Sequence, residues 1–277
     1  MTDRPPFDWE EVLDRLSELY QTGDWRTPYL RDHAENPFQV LIGTILSQRT
    51  RDEATDAASA RLFARYPDAT RLSRAPVRSI EPLIRETGFY HTKARTIREC
   101  AAAVLSRFSG TVPKTFEELT SLPGVGPKTA NCVLVFGYGI PAIPVDTHVH
   151  RIANRLGVVR TRSPEETEER LRRVLPRAYW IPLNPLLVQH GQNLCRPIGP
   201  RCPECPIADQ CATGRALRAG RNPPRAADRP RRSARSGEGR GGSRASRSSS
   251  PRGTPTPRRT TAPKRPSRTE TRRPIPR

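Results

Sequence analysis

The stretch LPGVGPKTA (residues 122–130) presents a lysine directly after two glycines and a proline. Lysine is rare in this chain: only Lys93, Lys114, Lys128 and Lys264 occur among its 48 basic side chains, and the rest are arginine. Arginine stays protonated, whereas a lysine can lose its proton and act as a nucleophile. Lys128 is therefore a candidate for covalent chemistry. A phosphate contact or a solvated side chain is the simpler alternative.

Three interpretations of this glycine-rich stretch compete. A dinucleotide-binding fingerprint needs a preceding strand and a third glycine, and a P-loop needs Gly-Lys-Ser/Thr in direct succession; neither occurs here. The third is a tight turn between two helices, TFEELTSL and KTANCVLVF, with Pro127 at the first position of the second. Gly124 and Gly126 would then permit positive φ and let backbone amides approach a phosphate. A connector without a ligand is the alternative.

A second group of chemically competent residues is the tract CRPIGPRCPECPIADQC. Its spacing, C-x6-C-x2-C-x5-C, is formed by Cys195, Cys202, Cys205 and Cys211. Zinc motifs usually offer two CxxC pairs, whereas one pair with wide flanking gaps suits the larger cage of a 4Fe-4S cluster. Spacing alone leaves zinc as a serious alternative. The other two cysteines, Cys100 and Cys132, fall on apolar helix faces and are predicted to be core thiols.

The elements that must position these groups are predicted to be helices nearly throughout. Apolar residues recur at helical spacing in PFQVLIGTILSQ, KARTIRECAAAVLSRF and HVHRIANRL. Ser163, Pro164 and Glu166 predict a capping box at the start of SPEETEERLRRVL. Asn184 and Pro185 are predicted to open another helix in NPLLVQH. Long strand signals are absent, so the sequence predicts an all-α fold.

Positive charge is concentrated at the C-terminal end of the chain. Residues 219–277 carry 18 basic and three acidic side chains, or +15 of the net +20, together with ten prolines and no aromatic residue. Such a segment cannot bury enough apolar surface to offset its chain entropy, so we expect it to be disordered. It is predicted to act as an electrostatic tether to DNA phosphates, with an inert tail as the alternative.

No apolar run reaches the length of a membrane-spanning helix, and the N-terminus MTDRPPFDWEEVL lacks a basic-then-apolar signal pattern. We therefore expect a cytosolic protein with no membrane partner. In a reducing cytosol the six cysteines are expected to be ligands or core thiols rather than disulfides.

The order of these motifs resembles that of the endonuclease III family, the helix-hairpin-helix DNA glycosylases and abasic-site lyases of base excision repair. The resemblance runs from about residue 30 to 213 and includes LIGTILSQRTRD, TGFYHTKARTI, the glycine turn, VDTHVHR, HGQNLC and the cysteine tract. It implies two all-α lobes with a DNA-binding groove between them. Residues 30–141 would form a helix bundle with the helix-hairpin-helix, and residues 1–29 with 142–215 the cluster lobe. The predicted basic tail, 216–277, has no counterpart in the family pattern.

The resemblance assigns the chemistry to Lys128 and Asp146. The Lys128 amine would attack C1′ of a flipped-out nucleotide, and β-elimination from the Schiff base would cut the strand 3′ to the lesion. The helix dipole and desolvation are both expected to favour loss of the lysine proton. Asp146 would stabilise the developing positive sugar and help deprotonate the nucleophile. It is also a predicted N-cap for the helix that begins at Thr147.

The family resemblance also implies the partners. The substrate would be double-stranded DNA with an oxidised pyrimidine or an abasic site, bound by a monomer in a prokaryotic, nucleoid-associated cytoplasm. A 4Fe-4S cluster would be held by the four cysteines of the tract, and the arginines of the loop between the first two would donate to phosphates. We expect DNA contacts from Gln48, Arg49, Phe89, Gly124, Gly126, His148, Arg151, Arg196 and Arg201.

Flipping a nucleotide leaves a hole that a side chain must fill, and the two loops LSQRTRD and TGFYHT are where the family carries such wedges. Bacterial members usually have leucine at the position of Phe89, and their glutamine lies one place after Gln48. Gln48 or Arg49 could therefore point into the gap. Core packing is the alternative for Phe89, although Tyr90 beside it could take that role.

Two other functions remain open at this stage. A monofunctional mismatch glycosylase of the same superfamily would lack the hairpin lysine, so Lys128 argues against it. A non-catalytic helix-hairpin-helix module would bind DNA without forming any covalent intermediate.

Overall fold

The computed structural model describes residues 7–22 and 36–222, and this part of the chain is helical, with no β-strand. The predicted all-α class is confirmed. The α-helices are α1 (Trp9–Gln21), α2 (Pro37–Ser47), α3 (Asp52–Arg65), α4 (Ala69–Arg74), α5 (Val77–Ile80), α6 (Tyr90–Phe108), α7 (Phe116–Thr120), α8 (Pro127–Cys132), α9 (Thr147–Leu156), α10 (Pro164–Val174), α11 (Trp180–Asn193) and α12 (Ala212–Arg218). Short 3₁₀ turns occupy Glu81–Ile84, Arg177–Tyr179 and Cys202–Glu204, and Val133–Gly137 is a π-helical turn.

The first hydrophobic core is built from α2 to α8 and contains buried side chains between Phe38 and Ala142. Helix α2 lies at its centre, because eight of its eleven residues are buried. Asn36 caps the start of α2, accepting hydrogen bonds from the amides of Phe38 and Gln39. Helix α6 packs against α2 and α4 with the apolar face that the sequence predicted. We call this cluster the first core.

The second hydrophobic core combines α1 with α9, α10 and α11, and its buried residues lie at 9–20 and 143–207. Helix α1 is attached to the C-terminal half by polar contacts as well. The Trp9 indole donates to the carbonyl of Val174 at 3.0 Å, and Arg15 donates to the carbonyl of Pro206 at 3.1 Å. We call this cluster the second core. The first core ends at Ala142 and the second resumes at Ile143, while the predicted boundary at residue 29 lies outside the described residues.

One predicted capping contact and one predicted helix boundary differ from the structure. Ser163 caps α10 as predicted, since its hydroxyl accepts from the amide of Glu166, but the Glu166 carboxylate bonds the amide of Arg162 rather than that of Ser163. The prediction that Asn184 and Pro185 open a helix is wrong. Helix α11 begins at Trp180 and carries Pro185 inside it.

The predicted start of the basic tail at residue 216 is also too early. Helix α12 continues to Arg218, and Ala216 is buried within it. Residues 223–277, which hold nearly all of the predicted tether, lie outside the described residues. None of the helices in the described part of the chain is long and apolar enough to cross a membrane.

Candidate functional site

The glycine turn joins α7 to α8 as the sequence predicted. Gly124 has φ +77°, and a Cβ built there would lie 2.3 Å from Cγ2 of Thr96, so both the backbone and the space require glycine. Gly126 differs, because it is the N-cap of α8 with φ −97°, so of the two glycines that would permit positive φ only Gly124 adopts it. A Cβ at Gly126 would meet nothing within 4 Å. The turn thus presents an open surface just before Pro127, the first residue of α8.

Lys128 and Asp146 come together because the segment between them is fixed from two sides. The side-chain amide of Asn131 in α8 donates to the backbone carbonyl of Ile143 at 3.3 Å. The side-chain amide of Asn184 in α11 donates to the backbone carbonyl of Pro144 at 2.8 Å. These buried bonds hold the chain that leads to Asp146 beside α8. The charge of Asp146 consequently acts on Lys128.

Asp146 is the N-cap of α9, as predicted. Its Oδ1 accepts hydrogen bonds from the amides of His148 at 2.9 Å and Val149 at 2.8 Å. These two bonds fix the carboxyl group at the positive end of the α9 dipole. Oδ1 is used in the cap, while the side chain remains partly exposed. One carboxylate therefore both begins a helix and faces the lysine.

The pKa of Lys128 is held above its ordinary value, so the expectation of a lowered pKa is wrong in direction. Burial is the largest influence and disfavours the ammonium, but negative charge at Cys132 and Asp146 outweighs it, with a hydrogen bond to Cys132 and a smaller contribution from Asp52. Burial raises the pKa of Cys132 in turn, and Lys128 acts in the opposite direction while Asp146 adds to the rise. In the resting protein Lys128 is therefore an ammonium under the influence of the Asp146 charge.

Two neighbours of Lys128 were missed by the sequence reasoning. Cys132 is fully buried, as predicted for a core thiol, but it also contacts Lys128 from one turn further along α8. Asp52, at the start of α3, accepts a hydrogen bond from Nε2 of Gln192 in α11 at 2.7 Å. The i, i+4 spacing of Lys128 and Cys132 could have revealed the first contact. No local pattern could have revealed Asp52, which precedes Lys128 by 76 positions and whose hydrogen-bond partner Gln192 is 140 positions away from it.

A surface groove runs between the start of α3 and the loop after α11. It is lined by Thr50, Arg51, Asp52, His148, Gly191, Gln192, Arg196, Pro197 and Ile198. The groove therefore brings together the loop after α2, the start of α9 and the first part of the cysteine tract. Of the residues predicted to contact DNA, His148 and Arg196 line it directly.

Arg151 is placed differently from His148. Its guanidinium donates to the carbonyls of Thr147, Gly191 and Cys195 at 3.0–3.3 Å and to Nδ1 of His148 at 3.1 Å. These bonds tie α9 to α11 and to the cysteine tract. Burial lowers the pKa of His148, with Arg151 acting in the same direction, so His148 is neutral near pH 7. In this structure Arg151 positions the groove wall, and its predicted contact with DNA stays a prediction.

The two loops predicted to carry wedges lie side by side. Arg49 (φ 53°) and Phe89 (φ 60°) both adopt the left-handed backbone conformation, and the Arg49 guanidinium lies 5.7 Å from the centre of the Phe89 ring. Phe89 is 65% exposed, which rules out core packing, and Tyr90 packs against the first core instead. The Gln48 amide donates to the carbonyl of Gly124 at 3.1 Å. Gln48 thus braces the glycine turn, while Arg49 and Phe89 project outward.

The four cysteines of the tract line one cavity. Its remaining walls are mostly apolar and include Ile152, Leu156, Leu194 and Ile207. Among the described residues, no three His, Cys, Asp or Glu side chains are grouped closely enough to hold a single metal ion. Convergence of four thiols on one apolar cavity nonetheless fits the donor set and protected setting that an iron–sulfur cluster requires.

Two polar side chains support this cavity and were not singled out from sequence. Arg155 donates to Sγ of Cys195 at 3.3 Å and to the carbonyl of Arg196 at 2.7 Å. His190 is 1% exposed and lies between the Tyr20 hydroxyl, 2.8 Å from Nδ1, and Sγ of Cys205, 3.6 Å from Nε2. Burial lowers the pKa of His190 to about 4, so the imidazole is neutral. Arg155 thus places a hydrogen-bonding group next to the sulfur of Cys195, and His190 places one next to the sulfur of Cys205.

The two arginines of the loop between Cys195 and Cys202 differ in availability. Arg196 is exposed on the groove and bonds the carbonyl of Asn193 at 3.1 Å through Nε. Arg201 is exposed too, but its guanidinium is paired with the carboxylate of Glu204. A phosphate would have to compete with Glu204 for Arg201, so Arg196 is the better placed of the two.

Comparison with known proteins identifies the family. The family model described as "HhH-GPD superfamily base excision DNA repair protein" matches residues 42–177. Endonuclease III of Thermotoga maritima is 50% identical over 182 residues, covering 65% of this chain and 85% of that protein. Endonuclease III homolog 2, chloroplastic, of Arabidopsis thaliana is 40% identical over 226 residues, covering 75% of this chain and 58% of that protein.

A solved structure gives the same answer for the fold. The structure described as a trapped endonuclease III–DNA covalent intermediate, an estranged-adenine complex, matches with a TM-score of 0.66 and 33% identity, covering 75% of this chain and 96% of that chain. The alignment therefore includes almost the whole of a protein caught in a covalent bond to DNA. The chain belongs to the endonuclease III family of HhH-GPD base excision DNA repair proteins.

Proposed function

We propose that this protein is a bifunctional DNA glycosylase and abasic-site lyase that removes oxidised pyrimidines and cuts the strand 3′ to the resulting site. The observation that carries the proposal is the meeting of Lys128 with Asp146. The sole lysine of the glycine turn lies at the start of α8. A carboxylate from a different core is held beside it by hydrogen bonds that two buried asparagine side chains donate. A module that only binds DNA has no need of this pair.

The chemistry begins with a proton transfer, because the resting Lys128 is an ammonium. Asp146 is the carboxylate whose charge acts most strongly on it, and it is the group to take up the proton as substrate binds. The neutral amine then attacks C1′, the base departs with the electrons of the glycosidic bond, and the sugar opens to a Schiff base on Nζ. Loss of a proton from C2′ expels the 3′ phosphate, which completes the β-elimination.

The charge of Asp146 contributes a second time in the glycosidic step. Positive charge develops on the sugar as the base leaves, and a fixed carboxylate nearby stabilises it. The N-cap bonds to His148 and Val149 prevent the carboxyl group from turning away. Asp146 is therefore held in position before the substrate arrives, so it need not reorganise during the reaction.

We assign the cysteine cavity to a 4Fe-4S cluster held by the four tract thiolates. The cluster would supply a rigid covalent cross-link for the loop after α11, and no step of the reaction passes through it. Arg155 at the sulfur of Cys195 and His190 at that of Cys205 supply donors suited to thiolate ligands. The loop so fixed presents Arg196 to a DNA phosphate at the groove.

For the gap left by the flipped nucleotide, the exposed pair of Arg49 and Phe89 is the better choice. Gln48, which the sequence left as an equal candidate, is engaged by the glycine turn. The open surface at Gly126 suits a close approach of the DNA backbone to the α8 amides. The enzyme would act as a monomer on the nucleoid in a prokaryotic cytoplasm.

The test is borohydride trapping on a duplex with one abasic site. Reduction should link the wild-type protein to the DNA, and Lys128→Ala should abolish the link while duplex binding persists. Lys114→Ala is the matched control, since Lys114 is an exposed lysine of the same half of the chain that lies over Tyr138. An undiminished link in Lys128→Ala would contradict the assignment. Binding without any link in the wild type would favour a non-catalytic module.

A second arm of the experiment addresses the base. Single-turnover excision should be faster from a duplex carrying thymine glycol than from one carrying 8-oxoguanine. The reverse order would leave the lyase chemistry intact and overturn the pyrimidine assignment.

A further inference from the structure

Lys93 is a buried lysine that the reaction outlined above does not use. It lies in the first turn of α6 and is 6% exposed. Its Nζ donates to the carbonyl of Leu46 at 2.6 Å, the carbonyl of Gln48 at 2.7 Å and Oγ1 of Thr50 at 2.7 Å. An ammonium has three protons, and all three are directed to the loop that follows α2. Lys93 therefore cannot serve as an exposed nucleophile.

Two of these acceptors are carbonyls that α2 leaves unpaired at its end. The last carbonyls of a helix have no intrahelical donor, and a cation is favoured there by the helix dipole. The carbonyls of Ile45 and Ser47 receive amides from within the loop, at 3.4 and 3.1 Å. Those of Leu46 and Gln48 receive Lys93. A side chain from α6 thus caps the C-terminus of α2.

The same contacts join the two loops that carry Arg49 and Phe89. Oγ1 of Thr50 accepts from Lys93 and also from the amide of Gly88, at 3.1 Å. A Cβ at Gly88 would lie 2.8 Å from the carbonyl oxygen of Arg49, so the two backbones meet with no room for a side chain. The second loop leads directly into α6, whose first backbone hydrogen bond runs from the amide of Lys93 to the carbonyl of Phe89 at 3.0 Å.

The residues between these contacts are in an unfavourable backbone conformation. Arg49 and Phe89 both have φ near +55°, at 53° and 60°, which residues other than glycine rarely adopt unless surrounding contacts impose it. Both flank the Lys93–Thr50–Gly88 contacts, and both side chains point outward together. The exposed pair is therefore held by a buried cation that itself faces away from the solvent.

We propose that Lys93 is a positioning residue that holds Arg49 and Phe89 in the conformation that enters the gap in the duplex. This rests on the proposed function, in which these two side chains fill that gap. Ordering the Arg49 and Phe89 side chains before DNA binds removes an entropic cost from the complex. If these side chains were displaced, the flipped nucleotide would be less well held over Lys128. The role is one of geometry, because Lys93 itself has no route to the substrate.

The experiment compares one abasic site in a duplex with the same site in a single strand, where no gap must be filled. Lys93→Met removes the ammonium while keeping a similar length. Single-turnover cutting of the duplex should fall about tenfold or more, and cutting of the single strand should stay within about twofold. Lys114→Met, at an exposed lysine of the same half of the chain, should change neither rate.

A fluorescence readout reports the insertion itself. With 2-aminopurine opposite the abasic site, the wild type should change the emission on binding, and Lys93→Met should produce a smaller change at saturating protein. Thr50→Val is the second variant, and it serves if Lys93→Met does not fold. It deletes the hydroxyl that links the two loops without leaving the lysine bare, and it should shift the duplex-to-single-strand ratio in the same direction.

The outcomes separate the two proposals. Equal losses on duplex and single strand would make Lys93 a residue of general stability and overturn the positioning role. Unchanged rates in both variants would overturn it as well. If the wild type forms no borohydride-trapped complex with either substrate, the proposed function fails instead.

Discussion

The two cores of this molecule are completed in different ways. The first core is aliphatic and aromatic apart from the Cys100 thiol, and α2 is buried on almost every side within it. The second core is smaller, and part of its boundary is the cavity lined by the four tract cysteines. The first core can thus be formed by apolar burial alone. The proposed cluster would hold these thiols together and so complete the second core, which would place a cofactor within the folding of one half of the chain.

The proposed catalytic pair lies where these two regions meet. Lys128 lies in α8, a helix of the first core. Asp146 is the N-cap of α9, a helix of the second core. Neither region contains both groups. The proposed chemistry would therefore depend on the fixed position of one core against the other.

Loss of a cluster ligand should damage the second core selectively, and this is the largest effect expected. Cys205→Ser should remove bound iron and the absorption near ~400 nm. Amide protection in α9 and α11 should then fall by about two orders of magnitude or more, because their core loses its cross-link, while α2 and α6 keep theirs. Hydrogen exchange followed by mass spectrometry measures both sets of helices in one experiment.

The control for this comparison is Cys100→Ser, at a buried thiol of the first core. It should weaken protection in α2 and α6 and leave the iron content unchanged. Parallel loss of protection in all four helices for both variants would show that the cores unfold as one cooperative unit, and the comparison would fail.

Asp146→Asn tests the meeting point of the two cores. Asparagine keeps the shape and the N-cap but loses the charge. The single-turnover rate of base excision should fall about a hundredfold, as for other single electrostatic groups, while cutting at a preformed abasic site suffers less. Asp68→Asn is the matched control, since Asp68 caps α4 in the same way, accepting from the amide of Arg71 at 2.8 Å. If excision is unchanged once the folded fraction is equalised, capping is the whole role of Asp146.

The smallest effect distinguishes the two glycines of the turn. Gly124→Ala should lower the free energy of unfolding by about 1–2 kcal/mol, because alanine is strained at positive φ and its Cβ would press on Thr96 beside the first core. Gly126→Ala should cost less than about 1 kcal/mol, since its φ is ordinary and the space is open. Chemical denaturation measures both free energies of unfolding.

Gly126→Ala should instead weaken duplex binding, and unchanged affinity would exclude a close DNA contact at this residue.

Local sequence patterns predicted many of the helices and caps of this molecule. Helix periodicity marked α2, α6 and α9, and capping chemistry marked Ser163 and Asp146, because these signals depend on residues within one or two turns. Pro185 misled the assignment of α11, since a proline at the first position and one inside a helix look alike without the packing around them. Glycine identity permitted positive φ at both Gly124 and Gly126 but did not specify it, and only Gly124 adopts it.

The sequence by itself determined that the chain is all-α, that a lone lysine follows a glycine turn, and that four thiols lie within one short tract. Only the tertiary structure decided which groups meet. It paired Lys128 with Asp146 and Cys132, set Asp52 against Gln192, and buried Lys93 under the loop of Arg49. It also reversed the expected direction of the Lys128 pKa. The physical reason is that charge, burial and backbone strain depend on neighbours in space, and folding brings those neighbours from distant positions in the chain.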